Sequence, residues 1–268
     1  MKIEEWFKTR RVSSGTWAID DRGSDIMYLI SGDKKCLLMD TGWGIGDLPK
    51  LVPSFTSLPL IVMNTHGHPD HTYGNSAFKQ IYIHEADKYF INKPSSADSK
   101  KWIMENVLPK PLPENFNPDA WAAKNPLIKT IKDGHVFDLG NRQLQTVCVP
   151  GHTPGSVCLL DSENRLLFTG DTIQNPTWLH LQDSLPLSQF HTNLKHLHSF
   201  SSEFDCFLPA HADLNTLPWS KKIINELITG IEQILEGKVQ GREEKTFAGD
   251  GLRCDFGSCG IVYRNDHL

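Results

Sequence analysis

Short apolar runs punctuated by glycine, aspartate and asparagine dominate the first third of the chain. Thr16 to Ile19, Ile26 to Ser31 and Cys36 to Asp40, with a turn at Gly32-Asp33, predict a β-meander. Leu60-Ile61-Val62-Met63 is apolar at every position, the pattern of a strand buried on both faces, and it stops at Asn64-Thr65-His66. Ile81-Tyr82-Ile83 predicts another strand. Residues 85–130 change character, with six prolines and the aromatics Phe90, Trp102, Phe116 and Trp121 among polar residues, and read as a partly helical insertion. The four aromatics would either roof a site or pack the insertion down. From Gln143 the strands resume, at Leu144–Val149, Val157–Leu160, Leu166–Thr169 and Phe204–Leu208, the second and third joined by the hairpin signal Asp161-Ser162-Glu163-Asn164. Two amphipathic helices are predicted, over about 188–200 and about 219–236. The second carries Ile224, Leu227, Ile228, Ile231 and Leu235 at helical spacing, Pro218 near its start and Gly237 just past its end. Residues 1–268 read as a single domain, without internal repeats.

Composition narrows the function classes. Of 268 residues 39% are hydrophobic, enough for a core without disulfide or metal staples, and the formal net charge is −5. No polybasic run exceeds Lys100-Lys101 or Lys221-Lys222, so neither nucleic acid nor an anionic membrane is expected as a partner, and a small-molecule substrate is. The opening MKIEEWFKTRR lacks the continuous apolar stretch of an export signal, and no run approaches the roughly 20 residues of a membrane span. A cytoplasmic protein is expected. The cysteines at 36, 148, 158, 206, 254 and 259 form no Cys-x-x-Cys pair and read as reduced core residues.

The chemistry concentrates after the strand Leu60–Met63, in Thr65-His66-Gly67-His68-Pro69-Asp70-His71. Three imidazoles and a carboxylate in six positions are improbable by chance, and they are ligand types that borderline divalent cations prefer. Gly67 and Pro69 suppress regular helix, so the segment must turn to bring these side chains together. His152, Asp171 and His211 each follow a predicted strand end, which places them at one rim of a sheet as further ligands.

Together with Asp40-Thr41-Gly42, Gly151-His152-Thr153-Pro154-Gly155-Ser156, Thr169-Gly170-Asp171-Thr172 and Pro209-Ala210-His211, this order of motifs resembles the metallo-β-lactamase superfamily, from Tyr28 to about His211. The resemblance implies an α+β fold, a four-layer αββα sandwich of two mixed β-sheets with flanking helices. It implies a metal-dependent hydrolase with two divalent metal ions, zinc expected and manganese or iron as alternatives. His66, His68 and His152 would hold one ion, Asp70, His71 and His211 the other, with Asp171 and a hydroxide bridging them. Asp70 would also orient the nucleophile and accept its proton, and Asp40 would sit behind a ligand imidazole. His180, nine residues past Asp171, is a candidate for substrate contact. His84, His135, His191, His196, His198 and His267 belong to no motif and read as structural.

Within that family, Asp171 stands where the β-lactamases proper generally lack an acidic bridging ligand. The absence of a tyrosine between 171 and 211 departs from the lactonases that cleave acyl-homoserine lactones. What remains is a hydrolase of a small-molecule ester, thioester, lactone or phosphoester. The alternative is a mononuclear iron oxidoreductase resembling persulfide dioxygenases, which share the motif. Oligomeric state is left open by the sequence, a homodimer included.

Overall fold

The computed structural model describes residues 5–92, 96–122 and 126–268, so the first four residues of the export reading and parts of the 85–130 insertion lie outside it. The chain separates into two compact units. The first holds residues 1–131, 138–142 and 213–215, and the second holds residues 132–137, 143–212 and 216–268.

The first unit is built on a seven-stranded sheet in chain order: β1 (Lys8–Ser13), β2 (Thr16–Asp20), β3 (Ile26–Ser31), β4 (Cys36–Met39), β5 (Leu60–Met63), β6 (Gln80–His84) and β7 (Leu127–Ile131). The meander β1 to β4 is antiparallel, and β4 to β7 pair in parallel through crossovers carrying α1 (Leu48–Leu51), α2 (Pro69–Thr72), α3 (Lys88–Asn92) and α4 (Ala97–Asn106). Every residue of β4 is buried, as its unbroken apolar run requires. Because β4 and β5 run parallel with Met39 opposite Met63, Asp40 and Asn64 leave the sheet side by side at one rim. The aromatics of the insertion divide. Trp121 packs down among Trp6, Trp43, Ile103 and Leu108 with Phe116 against it, whereas Trp102 is exposed. Phe90 lies on the metal-motif loop.

The second unit contains β8 (Val136–Asp138), β9 (Gln143–Cys148), β10 (Val157–Asp161), β11 (Leu166–Gly170), β12 (Thr177–Leu179), β13 (Cys206–Pro209), β14 (Trp219–Ser220), β15 (Arg242–Thr246), β16 (Gly249–Phe256) and β17 (Cys259–Tyr263). One sheet has the order β14-β13-β11-β10-β9-β8 and a second has β12-β17-β16-β15. The β11–β13 pair is parallel with Gly170 opposite Pro209, and the 149–156 loop links antiparallel β9 and β10. That topology brings His152, Asp171 and His211 to one rim. Helix α5 (Leu187–His198) buries Leu187, Phe190, Leu194 and Leu197, and α6 (Lys222–Leu235) buries Ile224, Leu227, Ile231 and Ile234. Each such side chain contributes about 1.5–3 kcal/mol by leaving water. Helix α6 starts later than the sequence periodicity indicates because Trp219-Ser220 pairs with β13. All six cysteines are free. Cys254 and Cys259 stand on neighbouring strands out of register, Cys254 facing Ile261 and Cys259 facing Phe256.

Candidate metal-binding site

In the first unit the His-x-His-x-Asp-His loop is held by backbone and side-chain hydrogen bonds from both neighbouring strand ends. Asp40 adopts a left-handed φ of 64° and is fully buried. Its carboxylate accepts from the Thr65 amide at 2.7 Å, from the Thr65 hydroxyl at 2.8 Å and from His71 Nδ1 at 2.9 Å. The carbonyl of His71 accepts from the Thr41 amide at 3.0 Å and from Asn64 Nδ2 at 2.8 Å, while Asn75 donates to Asn64 at 2.8 Å. Asp87, also fully buried, accepts from the Gly67 amide at 2.9 Å. Asp40 was legible in the sequence. Asn64, Asn75 and Asp87 were not, since nothing local distinguishes a buried amide or carboxylate from a turn residue.

These bonds assign the imidazole protons. The Thr65 hydroxyl gives its hydrogen to Asp40, so it accepts from His66 Nδ1 at 3.1 Å and places the His66 lone pair on Nε2. His71 donates its Nδ1–H to Asp40 and likewise carries its lone pair on a buried Nε2. His66 Nε2 lies 3.0 Å from His68 Nδ1, and His71 Nε2 lies 3.6 Å from Asp70 Oδ2.

The second unit repeats the pattern. His152 donates Nδ1–H to the Trp178 carbonyl at 2.8 Å, and its Nε2 lies 3.4 Å from Asp171 Oδ2. His211 Nε2 lies 3.2 Å from the same oxygen, and Gln174 donates to it at 3.4 Å. The loop carrying His152 is fixed by Ser184, whose hydroxyl donates to the His152 carbonyl at 3.0 Å, and by Asn193 of α5, which donates to the Pro150 carbonyl at 2.7 Å.

Imidazole nitrogens and carboxylate oxygens gathered this closely form a donor set that a divalent cation would satisfy. Two ligands on one tetrahedral ion with bonds of about 2.0–2.1 Å stand about 3.3 Å apart. The separations within the two sets, 3.0, 3.6, 3.4 and 3.2 Å, bracket that value. Nitrogen and carboxylate oxygen donors of this kind fit zinc, manganese or iron. Each set therefore has the chemistry of a metal chelate.

His180 is buried against Trp178, with ring centroids 5.1 Å apart and Nε2 2.9 Å from the Thr246 hydroxyl; burial, and after it the nearby His152, holds its pKa below the ordinary value. It lines a cleft of about 840 Å³ together with Gln182, Lys245, Asp250, Tyr263 and Arg264. Asp21 adds a buried acid to the first unit. It accepts from the Trp43 amide at 2.9 Å and from the Trp6 indole, and burial pushes its carboxyl up to about 6. The charge of Asp70 is a smaller contribution in the same direction. No helix among the described residues is long and apolar enough to cross a membrane.

Comparison with known proteins adds four findings. The family model described as metallo-beta-lactamase superfamily matches residues 22–205, a span that stops short of His211. An acyl-coenzyme A thioesterase of Gallus gallus, MBLAC2, is 27% identical over 208 residues, covering 70% of this chain and 72% of that protein. The hydroxyacylglutathione hydrolase GloC of Haemophilus influenzae is 26% identical over 151 residues, 53% of this chain and 62% of that one. A solved metallo-beta-lactamase from Pontibacter korlensis superimposes with a TM-score of 0.59 at 17% identity, covering 84% of this chain and 99% of that chain.

Proposed function

The chain belongs to the metallo-β-lactamase superfamily, and from that premise we propose that it hydrolyses a small-molecule thioester at a dinuclear metal centre. Its fold is the α+β sandwich of mixed sheets and helices expected from the motifs, and it is a metallo-hydrolase. In this reading residues 1–268 act as one catalytic domain, the 85–130 segment being an insertion in it. His66, His68 and His152 would hold one ion and Asp70, His71 and His211 the other, with Asp171 available to either. The observation that carries the metal assignment is the set of imidazole nitrogens and carboxylate oxygens at ligand spacing. Zinc is the expected metal because the set is rich in imidazole. The thioester is taken from two relatives, a thioesterase and a hydrolase of an acylglutathione by their names.

When bound, the ions supply a hydroxide nucleophile at neutral pH and polarise the carbonyl under attack. The residues of the chain do the rest. Asp40 fixes the tautomer of His71 directly and that of His66 through Thr65, so that both present lone pairs. The Trp178 carbonyl does the same for His152. Asp70, the one carboxylate of the first set with partial solvent access, orients the attacking water and accepts its proton. A carbon–oxygen bond forms, the carbon–sulfur bond breaks, and the proton held on Asp70 passes to the departing thiolate. The products are a carboxylic acid and a free thiol. His180 and its cleft are the proposed contact surface for the part of the substrate remote from the scissile bond.

The test is a substrate panel on metal-replete protein: acyl-coenzyme A esters, an acylglutathione, a simple aryl ester, an acyl-homoserine lactone and an aryl phosphodiester. Release of free thiol from a thioester, with the highest kcat/KM of the panel and loss of turnover on chelation, is expected. Turnover of the lactone or phosphodiester alone would refute the thioester assignment.

A further inference from the structure

The parallel strands β5 and β6 end side by side, the Asn64 amide donating to the Tyr82 carbonyl at 2.8 Å, so the loops that follow them emerge together. One loop carries His66 and His68. The other is the short turn Glu85–Asp87 leading into α3. Two contacts join them. The buried Asp87 carboxylate accepts from the Gly67 amide at 2.9 Å, at the one residue lying between the two histidines. Phe90 fills the space beside the same glycine, and a Cβ there would stand 2.6–2.8 Å from Phe90 atoms. The edge of the Phe90 ring also meets the His68 ring, with centroids 5.7 Å apart.

We propose that Asp87 and Phe90 are positioning residues that set the His66–His68 pair as a chelate before any metal arrives. The proposal rests on the metal assignment made above. Its physical basis is spacing: in an extended segment residues i and i+2 share a face but stand about 6.6 Å apart along the chain, so their rings meet only where the backbone between them is bent and held. His66 and His68 nevertheless bring ring nitrogens to 3.0 Å. The peptide at Gly67 is where that bend must be fixed, and Asp87 grips it there through a buried hydrogen bond. Gly67 is required because Phe90 occupies the volume a side chain would need. Residues supporting a ligand in this way are worth about 10–100-fold in metal affinity. No short-range sequence signal marks them, since Asp87 lies 20 residues beyond its partner.

The test measures zinc affinity and stoichiometry by competition with a chromophoric chelator on Asp87→Ala, Asp87→Asn, Phe90→Leu and, as a control, His68→Ala. Amide exchange at Gly67 is measured in the metal-free wild type. Asp87→Ala is expected to bind zinc about 10–100-fold more weakly, Asp87→Asn to recover most of that loss because it keeps an acceptor oxygen, and Phe90→Leu to lose severalfold. The Gly67 amide is expected to be protected without metal. A folded Asp87→Ala protein with wild-type affinity, or a Gly67 amide that exchanges freely in the metal-free protein, would overturn the proposal. If Asp87→Ala fails to fold, the exchange measurement decides. If His68→Ala keeps wild-type zinc content, the failure belongs to the metal assignment rather than to Asp87.

Discussion

Four candidate ligands of the first unit come from one six-residue stretch, His66 to His71, whereas the three of the second are spread over residues 152–211 and meet only because their strand ends share a rim. The first set is dense and needs to be bent into place, and Asp40, Asn64, Asn75 and Asp87 all bond to its loop or its anchors. The second set is sparse and is delivered by the sheet itself, with Trp178 and Ser184 adding single bonds to His152. One device is common to both. A glycine next to a ligand histidine is packed by a phenylalanine ring, Gly67 by Phe90 and Gly151 by Phe190. Crowding in sequence is therefore paid back in supporting bonds, and dispersion in sequence is replaced by strand register.

The sharpest break in that comparison is Asp171→Ala. In the first set neighbouring donors remain after any single loss, but Asp171 faces both imidazoles of the second set alone. Its removal should lower turnover by more than the roughly 100-fold expected for a supporting residue and reduce bound metal, read by elemental analysis and thiol release. His68→Ala should retain more metal than Asp171→Ala.

Next is the buried acid peculiar to the first unit. Asp21 is raised from 3.8 to about 6, chiefly by desolvation, a move that corresponds to about 3 kcal/mol. The neutral acid is the form that folding favours. Its contribution is complete below about pH 4 and is lost as the pH rises through about 6. Relative to Asp21→Asn, the metal-free wild type should therefore lose about 3 kcal/mol of stability across that window and no more above it. Urea unfolding at several pH values measures this, and a pH-independent difference would show that Asp21 does not titrate in the native state.

Asp40→Asn follows in size. Asparagine tolerates the left-handed backbone but cannot accept on both of its terminal atoms, so at least one of the three bonds from Thr65 and His71 is lost. Metal affinity should fall about 10–100-fold, with folding retained. Smallest is Gly151→Ala, whose new Cβ would meet the Phe190 ring at 2.1 Å. Overpacking of this kind costs about 1–3 kcal/mol, seen as a lower Tm. A Tm unchanged from wild type would mean that the glycine is not packed as described.

What the sequence made legible follows the same division. The six-residue motif and the continuous apolar runs of β3, β4, β5, β10 and β11 announce themselves, and so do the buried stripes of α5 and α6. The strands β15 and β16 do not, because Arg242–Thr246 is polar throughout and Gly249–Phe256 holds two glycines and two aspartates. Their pairing is set by β17, which contributes the apolar residues. The supports of the site were hidden for a different reason. Asp87 acts through a backbone amide 20 residues away, and the group that fixes His152 is the carbonyl of Trp178, which any residue at that position would supply.

Elemental analysis of protein purified without chelators or metal-affinity resin tests the central claim most directly, because it counts what the two sets hold before any substrate is chosen. The account predicts about two divalent ions per chain, with zinc foremost, falling in Asp171→Ala. About one iron per chain, with oxygen consumed on addition of a persulfide, would contradict it.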